Sequence, residues 1–170
     1  PVYRGFNTAI ESPWNMPLVD MACVNCGQCI AACPTGALHE KDSTKEVWDL
    51  LADPKKHVVV QPAPAVRAAL GEEFGLPMGT LVTGKMAAAL RRLGFSDVME
   101  VALGADVTSQ REAAEFVERM ERGDTFMTTS CCPAYVEAVR RHAPELLPHV
   151  SETATPMHYT AEIARERHPD

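Results

Sequence analysis

No stretch of the 170 residues approaches the ~20 consecutive apolar residues that a helix needs to cross a bilayer. The first residues show no basic segment leading into an apolar run, so no signal peptide is read there. Basic charge is also short. Sixteen Lys and Arg stand against 23 Asp and Glu, giving a net charge of −7. That balance argues against nucleic acid, which needs a basic face. No internal repeat or low-complexity tract breaks the chain. The glycine-rich loop of a nucleotide site is missing too, because Lys85 in T-G-K has no such loop before it. His57, His142, His149, His158 and His168 share no metal-ligand spacing; surface or core roles account for them. His39, just after the cysteine run, is a weak candidate for tuning a cluster.

What the chain does have is six cysteines, four of them within Cys23–Pro34, which reads C-V-N-C-G-Q-C-I-A-A-C-P. The spacing C-x2-C-x2-C-x3-C-P is the bacterial ferredoxin run, which binds a [4Fe–4S] cluster through thiolates. Two-residue gaps let Cys23, Cys26 and Cys29 wrap one face of a compact cluster. Gly27 suits the tight loop because it takes a positive φ at little steric cost, and Pro34 fixes the chain direction afterwards. A zinc site normally uses two pairs separated by a longer loop, and a disulfide framework suits a small secreted chain. In two-cluster ferredoxins the fourth cysteine of the run ligates the other cluster. By that logic Cys33 points to a second cluster, and the one on Cys23, Cys26 and Cys29 lacks its fourth ligand within this chain. Cysteines used as ligands imply a reducing interior, and a cytoplasmic location is expected.

The sequence is long enough for one ordinary domain plus a small module. Residues 1–20, with Pro13, Trp14 and Pro17, read as an irregular lead-in. Ser43 and Glu46 form a capping box for a short helix that Asp53-Pro54 stops. Val58–Val60 reads as a buried parallel strand. Helices follow from about Pro64 to Glu73, with Pro64 in the first turn, and from about Gly84 to Leu93, with Gly94 as terminator. Val98–Leu103 is the next strand candidate. Ser109 and Glu112 make another capping box, opening a helix whose expected buried stripe is Ala113, Phe116, Val117 and Met120 and which Gly123 closes. Thr125–Thr129 is a third strand, and Pro133 starts a further helix. The βαβαβα alternation gives an α/β fold with a parallel sheet. A ferredoxin-like cluster module is expected at 1–55 and an α/β lobe at 56–170.

In such sheets the loops at the carboxyl ends of strands carry ligand sites. Two loops qualify, Gln61–Ala65 and Ser130–Pro133. The second reads T-T-S-C-C-P-A-Y. Pro133 at a first helical position puts Cys131 and Cys132 at a helix N-terminus, where the dipole favours a thiolate. From the residues alone that thiolate can ligate a metal, attack as a nucleophile or shuttle a proton.

Thr129–Pro133 is similar to the first signature loop of the iron-only, [FeFe] hydrogenases. The surrounding D-P-K-K-H-V-V-V-Q-P-A-P-A-V-R (53–67), V-T-G-K (82–85) and L-G-A-D-V-T (103–108) agree in order and spacing, as does C-V-N-C-G-Q-C…C-P-T-G-A-L, which stands where that family has the second of two cluster motifs. The resemblance covers nearly the whole chain. It implies that Cys132 ligates the cubane part of a hydrogen-activating cluster and that Cys131 passes protons to its diiron part. It further implies that Glu112, Ser151, Glu115 and Arg119 continue the proton path to the surface. Ala63, Pro64 and Ala65 match the loop lining the diiron site, and Met157 falls close to it. Many relatives have Ser at the position of Ala65, so one hydroxyl contact to a cyanide ligand is removed, and Trp at that of Tyr135, which with Ala134 and Pro156-Met157 suggests a branch apart from the best-known enzymes.

Periodicity supports the path in part, since Glu112, Glu115 and Arg119 fall at i, i+3 and i+7 on one stripe. The bland reading of that stripe is a solvated face with a Glu115–Arg119 pair worth a few tenths of a kcal/mol. Energetics agree with hydrogen chemistry. At 59 mV per pH unit the proton/hydrogen couple lies at roughly −0.41 V at neutral pH, and ferredoxin-type clusters lie near about −400 mV.

The family's cubane needs three more cysteines from later loops, and none follows Cys132 here. A partial sequence, cut at both ends, is therefore expected, with a split subunit completed by a partner as the alternative. The resemblance implies a ferredoxin or other low-potential electron carrier as partner, and possible further hydrogenase subunits. A second class stays open: hydrogenase-like proteins of cytosolic iron–sulfur assembly share the fold, make no hydrogen and generally lack the cysteine that Cys131 matches. A plain electron-transfer module leaves residues 56–170 unexplained.

Overall fold

The computed structural model describes residues 3–9 and 11–169. Contacts divide the chain into two compact units, one of Pro1–Asp42 with Pro133–Pro148, the other of Ser43–Cys132 with His149–Asp170.

The first unit is irregular except for two helices. Short 3-10 turns at Gly5–Asn7, Pro13–Asn15 and Leu18–Asp20 precede the cysteine run. The run itself holds α1 (Gln28–Ala31). Gly27, at φ +75°, turns the chain into that helix, and Asn25 sits at φ +56°. Positive φ is a conformation that Gly adopts freely and Asn tolerates. The other helix, α6 (Pro133–His142), starts on the proline as expected and buries Val139.

The second unit carries the sheet. After α2 (Thr44–Leu51), which begins where the Ser43 signal put it although without a Ser43 side-chain cap, β1 (Val59–Val60) leads into α3 (Pro64–Glu73) and α4 (Thr83–Leu93). Gly94 ends α4 at φ +111°. Strand β2 (Asp97–Val98) then pairs with β1 in parallel, Val59 opposite Asp97 and Val60 opposite Val98. The N–H groups of Ser96, Met99 and Val101 extend this ladder by donating to Val58, Val60 and Pro62. Met86 on α4 and Met99 just after β2 are buried beside the sheet.

Two expectations change here. The strand read at Val98–Leu103 stops after Val98, because α5 runs unbroken over Val101–Arg122. Ser109 is therefore in the middle of a helix rather than at its cap. The third strand shrinks to a single parallel bridge, Thr128 with Val150, and among the described residues it joins neither β1 nor β2. The fold remains α/β with a small parallel sheet.

The 22-residue α5 packs on α7 (Pro156–Arg167). The contact is closest at Gly104, where an added Cβ would lie 2.0 Å from the Pro156 carbonyl oxygen and 2.4 Å from Thr160 Oγ1. Only a residue without a side chain permits that approach. Around it, Thr160 is fully buried and Thr108 nearly so. Thr160 Oγ1 donates to the Pro156 carbonyl, and Thr108 Oγ1 to the Gly104 carbonyl. The Tyr159 hydroxyl accepts from Arg111 Nη1 and from the Ala154 N–H.

The expected apolar stripe of α5 is not its buried face. Phe116 and Val117 are 46% and 54% exposed, while Arg119 is 6% exposed. The buried residues Gly104, Thr108 and Arg119 fall on the side that carries the polar groups. Polar groups are turned inward only when each finds a hydrogen-bond partner, and the segment around Val150–Thr153 supplies those partners.

Candidate functional site

In the first unit all four thiols of the run are free, Cys23 and Cys33 partly buried, Cys26 and Cys29 exposed. Backbone donors face two of these sulfurs, those of Cys23 and Cys33. The Asn25 N–H donates to Cys23 Sγ at 3.4 Å. Cys33 is lowered to about 7, first by the Leu38 N–H, then by the Thr35 hydroxyl and N–H. The P-T-G-A-L turn thus presents several donors to one sulfur, a concave arrangement of N–H groups suited to an anion. Soft thiol ligands, with backbone donors aimed at the Cys23 and Cys33 sulfurs, fit ferredoxin-type [4Fe–4S] ligation. Among the described residues no three His, Cys, Asp or Glu side chains converge on the point that a single ion would occupy.

The second unit holds the other candidates. Ala63 precedes α3, Pro64 and Ala65 form its first turn, and all three are exposed directly after β1. Met157, 57% exposed, lies in the first turn of α7. Cys131 and Cys132 are exposed in the bend after the Thr128–Val150 bridge. The Cys131 thiol has one hydrogen-bond neighbour, Thr129 Oγ1 at 3.8 Å.

Three of the expected path residues come together. Ser151 Oγ donates to Glu115 Oε2 at 2.6 Å, and Arg119 Nη2 lies 2.6 Å from Glu115 Oε1. Arg119 Nη2 also donates to the Val150 carbonyl at 3.0 Å. Burial works against a charged Glu115. The Ser151 hydroxyl, the Glu152 N–H and the Arg119 guanidinium outweigh it and hold the carboxyl below its ordinary range. Glu112 is separate. Its Oε1 accepts the Ser130 N–H at 3.1 Å, one residue before Cys131. No hydrogen bond among the described residues joins Glu112 to the Cys131 thiol or to Ser151.

Several participants carry no strong sequence signal. Ser130 is 9% exposed and its hydroxyl donates to the Thr153 carbonyl. Thr153 Oγ1 donates to Glu115 Oε2 at 3.2 Å. Glu118, Arg122 and Glu152 join Glu115 and Arg119 in lining a cavity of about 120 Å³. Gln61 Oε1, Glu100 Oε1 and Thr128 Oγ1 are buried without a partner. Two of these follow the carboxyl ends of β1 and β2, where α/β sheets build ligand sites. Glu100 Oε2 is held by Arg67 Nη1.

A cysteine loop with ferredoxin spacing, together with a parallel-sheet unit that holds a buried carboxylate–hydroxyl–guanidinium cluster, points to the class of iron–sulfur proteins. Residues 56–170 match the model of the iron-only hydrogenase large subunit, C-terminal domain, and residues 18–39 match a 4Fe-4S binding domain. The chain belongs to the iron-only hydrogenase large-subunit family. It is 46% identical over 176 residues to the NADP-reducing hydrogenase subunit HndD of Solidesulfovibrio fructosivorans, covering 99% of this chain and 30% of that protein. Iron hydrogenase 1 of Clostridium pasteurianum is 43% identical over 137 residues, 80% of this chain and 24% of that one. The solved apo [FeFe]-hydrogenase of Chlamydomonas reinhardtii superposes with a TM-score of 0.62 at 38% identity, covering 66% of this chain and 30% of that one. The chain thus spans about a third or less of the length of these relatives. A cytosolic iron–sulfur assembly component of Bos taurus is more distant, at 27% identity over 159 residues, 85% of this chain and 33% of that protein. No helix among the described residues is long and apolar enough to cross a membrane.

Proposed function

We propose that this chain forms part of an [FeFe] hydrogenase that interconverts protons, electrons and H2. Cys23, Cys26, Cys29 and Cys33 carry ferredoxin-type iron–sulfur ligation and deliver electrons. Cys132 contributes one thiolate to the hydrogen-activating cluster, and Ala63, Pro64, Ala65 and Met157 line its diiron part. When bound, that cluster supplies the redox chemistry at which two protons and two electrons become H2. Only one of its thiolates can come from this segment, so the segment alone is expected to be inactive.

The protein's own work is to move protons. The observation that carries the reading is the inward polar face of α5, with Glu115 bonded to Ser151 and Arg119 and Glu112 bonded at the residue before Cys131. A guanidinium does not release its proton near neutral pH, so Arg119 fixes Glu115 while Glu115 and Ser151 hand the proton inward. Glu112 receives it, and a bridging water closes the step to Cys131. A thiol is both a weak donor and a weak acceptor, so the Cys131 sulfur can take that proton and pass it on.

Electrons come from a ferredoxin or another low-potential carrier, with further hydrogenase subunits as possible assembly partners. Reducing conditions that keep six thiols available favour a cytoplasmic compartment. The more distant kinship with iron–sulfur assembly proteins supports a second reading, a non-catalytic iron–sulfur role. Hydrogen evolution from reduced methyl viologen separates the two, measured on protein made from the complete gene and matured with its clusters. Steady hydrogen release is expected. Full iron occupancy without hydrogen would leave the non-catalytic role.

A further inference from the structure

The backbone leading into the cysteine run has little to hold it. Met21 N–H closes the Leu18–Asp20 turn, and Ile30 N–H donates to the Gly27 carbonyl. Between them, among the described residues, Ala22–Cys26 make no backbone-to-backbone hydrogen bond, and the Asn25 N–H is bonded only to the Cys23 sulfur. Just before this stretch, the backbone is held by a side chain 120 residues away in sequence from Met21.

Arg141, near the end of α6, donates through Nη1 to the Met21 carbonyl and through Nη2 to the Val19 carbonyl, the latter at 2.7 Å. Its Nε donates to Glu137 Oε1, one turn earlier on the same helix. Arg141 is 24% exposed and Glu137 17%. The guanidinium therefore spends all three faces of its fork: one on the helix that carries it and two on consecutive stretches of the lead-in. A lysine ammonium is a single point and cannot span two carbonyls and a carboxylate together.

We infer that Arg141 is a positioning residue for the iron–sulfur loop. It clips the Val19–Met21 backbone to α6 and so fixes where Cys23, two residues further on, presents its sulfur. Glu137 braces the fork. Arg140, also paired with Glu137, is 62% exposed and, among the described residues, has no bond to the lead-in. The inference rests on the cluster reading of Cys23–Cys33 and is independent of whether the protein makes hydrogen.

The test uses the whole chain, as apo protein and after anaerobic reconstitution with iron and sulfide, comparing wild type, Arg141→Lys, Arg140→Lys and Glu137→Gln. In the apo chain, amide exchange at Asp20 and Met21, whose N–H groups are bonded in the turn, is expected to quicken about tenfold in R141K and less in E137Q. In the reconstituted chain, R141K is expected to shift the g-values and reduction potential of the reduced cluster and to lose iron to a chelator several-fold faster. R140K should match wild type throughout. Wild-type exchange and spectra in R141K overturn the inference. So does an equal change in R140K, which would make charge on α6 the cause. If R141K loses helical circular dichroism, E137Q decides alone, and wild-type exchange in it overturns the proposal.

Discussion

Replacing Glu115 by Gln removes one charge from a pair whose partner cannot reach water. The Arg119 side chain is 7% exposed and that of Glu115 19%. Breaking a buried pair by removing one partner costs about 3–5 kcal/mol, most of it the penalty on the charge left behind. Two features reduce that here. Arg119 keeps the Val150 carbonyl, and a Gln carbonyl can still accept at the Oε1 position, while the Ser151 and Thr153 hydroxyls can rotate to accept from its amide. A loss of about 2–3 kcal/mol remains. In a chain of this size that lowers the melting temperature by roughly 5–10 °C.

The pH dependence follows from the sign of the shift. Glu115 is held below its ordinary range, so the stability it contributes is fully present above the unfolded value of about 4.3 and is lost as pH falls through the folded value. The gap between wild type and E115Q should be flat from pH 5 to 8 and shrink below about pH 4.3. Thermal and urea melts followed by circular dichroism measure it. A gap under about 0.5 kcal/mol at pH 7, the size of an exposed helical pair, would refute the buried-pair argument. So would a gap that stays constant down to pH 3.5.

Other outcomes follow from the same geometry. Gly104→Ala should destabilise by about 3 kcal/mol or more, because the added carbon meets backbone of α7 that cannot rotate away; a melt within 1 °C of wild type contradicts that packing. In the apo chain, alkylation at Cys33 followed by peptide mass spectrometry should rise as pH passes through about 7, where the thiolate forms. A rise only above pH 8.5 would mean that the turn does not cradle the sulfur. Arg119→Met combined with E115Q should cost less than the two single changes added together, since the double variant strands no charge.

The sequence carried the motifs well and the burial poorly, for reasons visible at particular residues. Cys23–Pro34, Pro64, Gly94 and Pro133 are local signals, each acting through its own φ or its own donor atoms, and the helices start or stop where those residues put them. Val98–Leu103 was misread because β-branched residues with a leucine suit a buried helix as well as a strand, and here Val101 opens α5. The stripe Ala113, Phe116, Val117 and Met120 has the right period yet is not the buried face. What decides is a long-range match: Glu112, Glu115 and Arg119 find partners in Ser130, Ser151 and the Val150 carbonyl. Such pairing across 18 to 36 residues leaves no trace in periodicity. A charged stripe that turns inward while the apolar stripe faces out is the physical mark of the candidate path. Arg141 was invisible for the same reason, since its partners are backbone carbonyls that every sequence has.

The most direct test of the central claim separates the two adjacent cysteines in the complete, cluster-loaded protein. Hydrogen evolution and iron content would be measured together for Cys131→Ala and Cys132→Ala. The account expects C131A to keep its iron while losing about 100-fold or more in turnover, the scale of a missing acid–base group. It expects C132A to lose iron and activity together. Turnover within twofold of wild type in C131A, or full iron in C132A, would contradict the roles assigned to the pair.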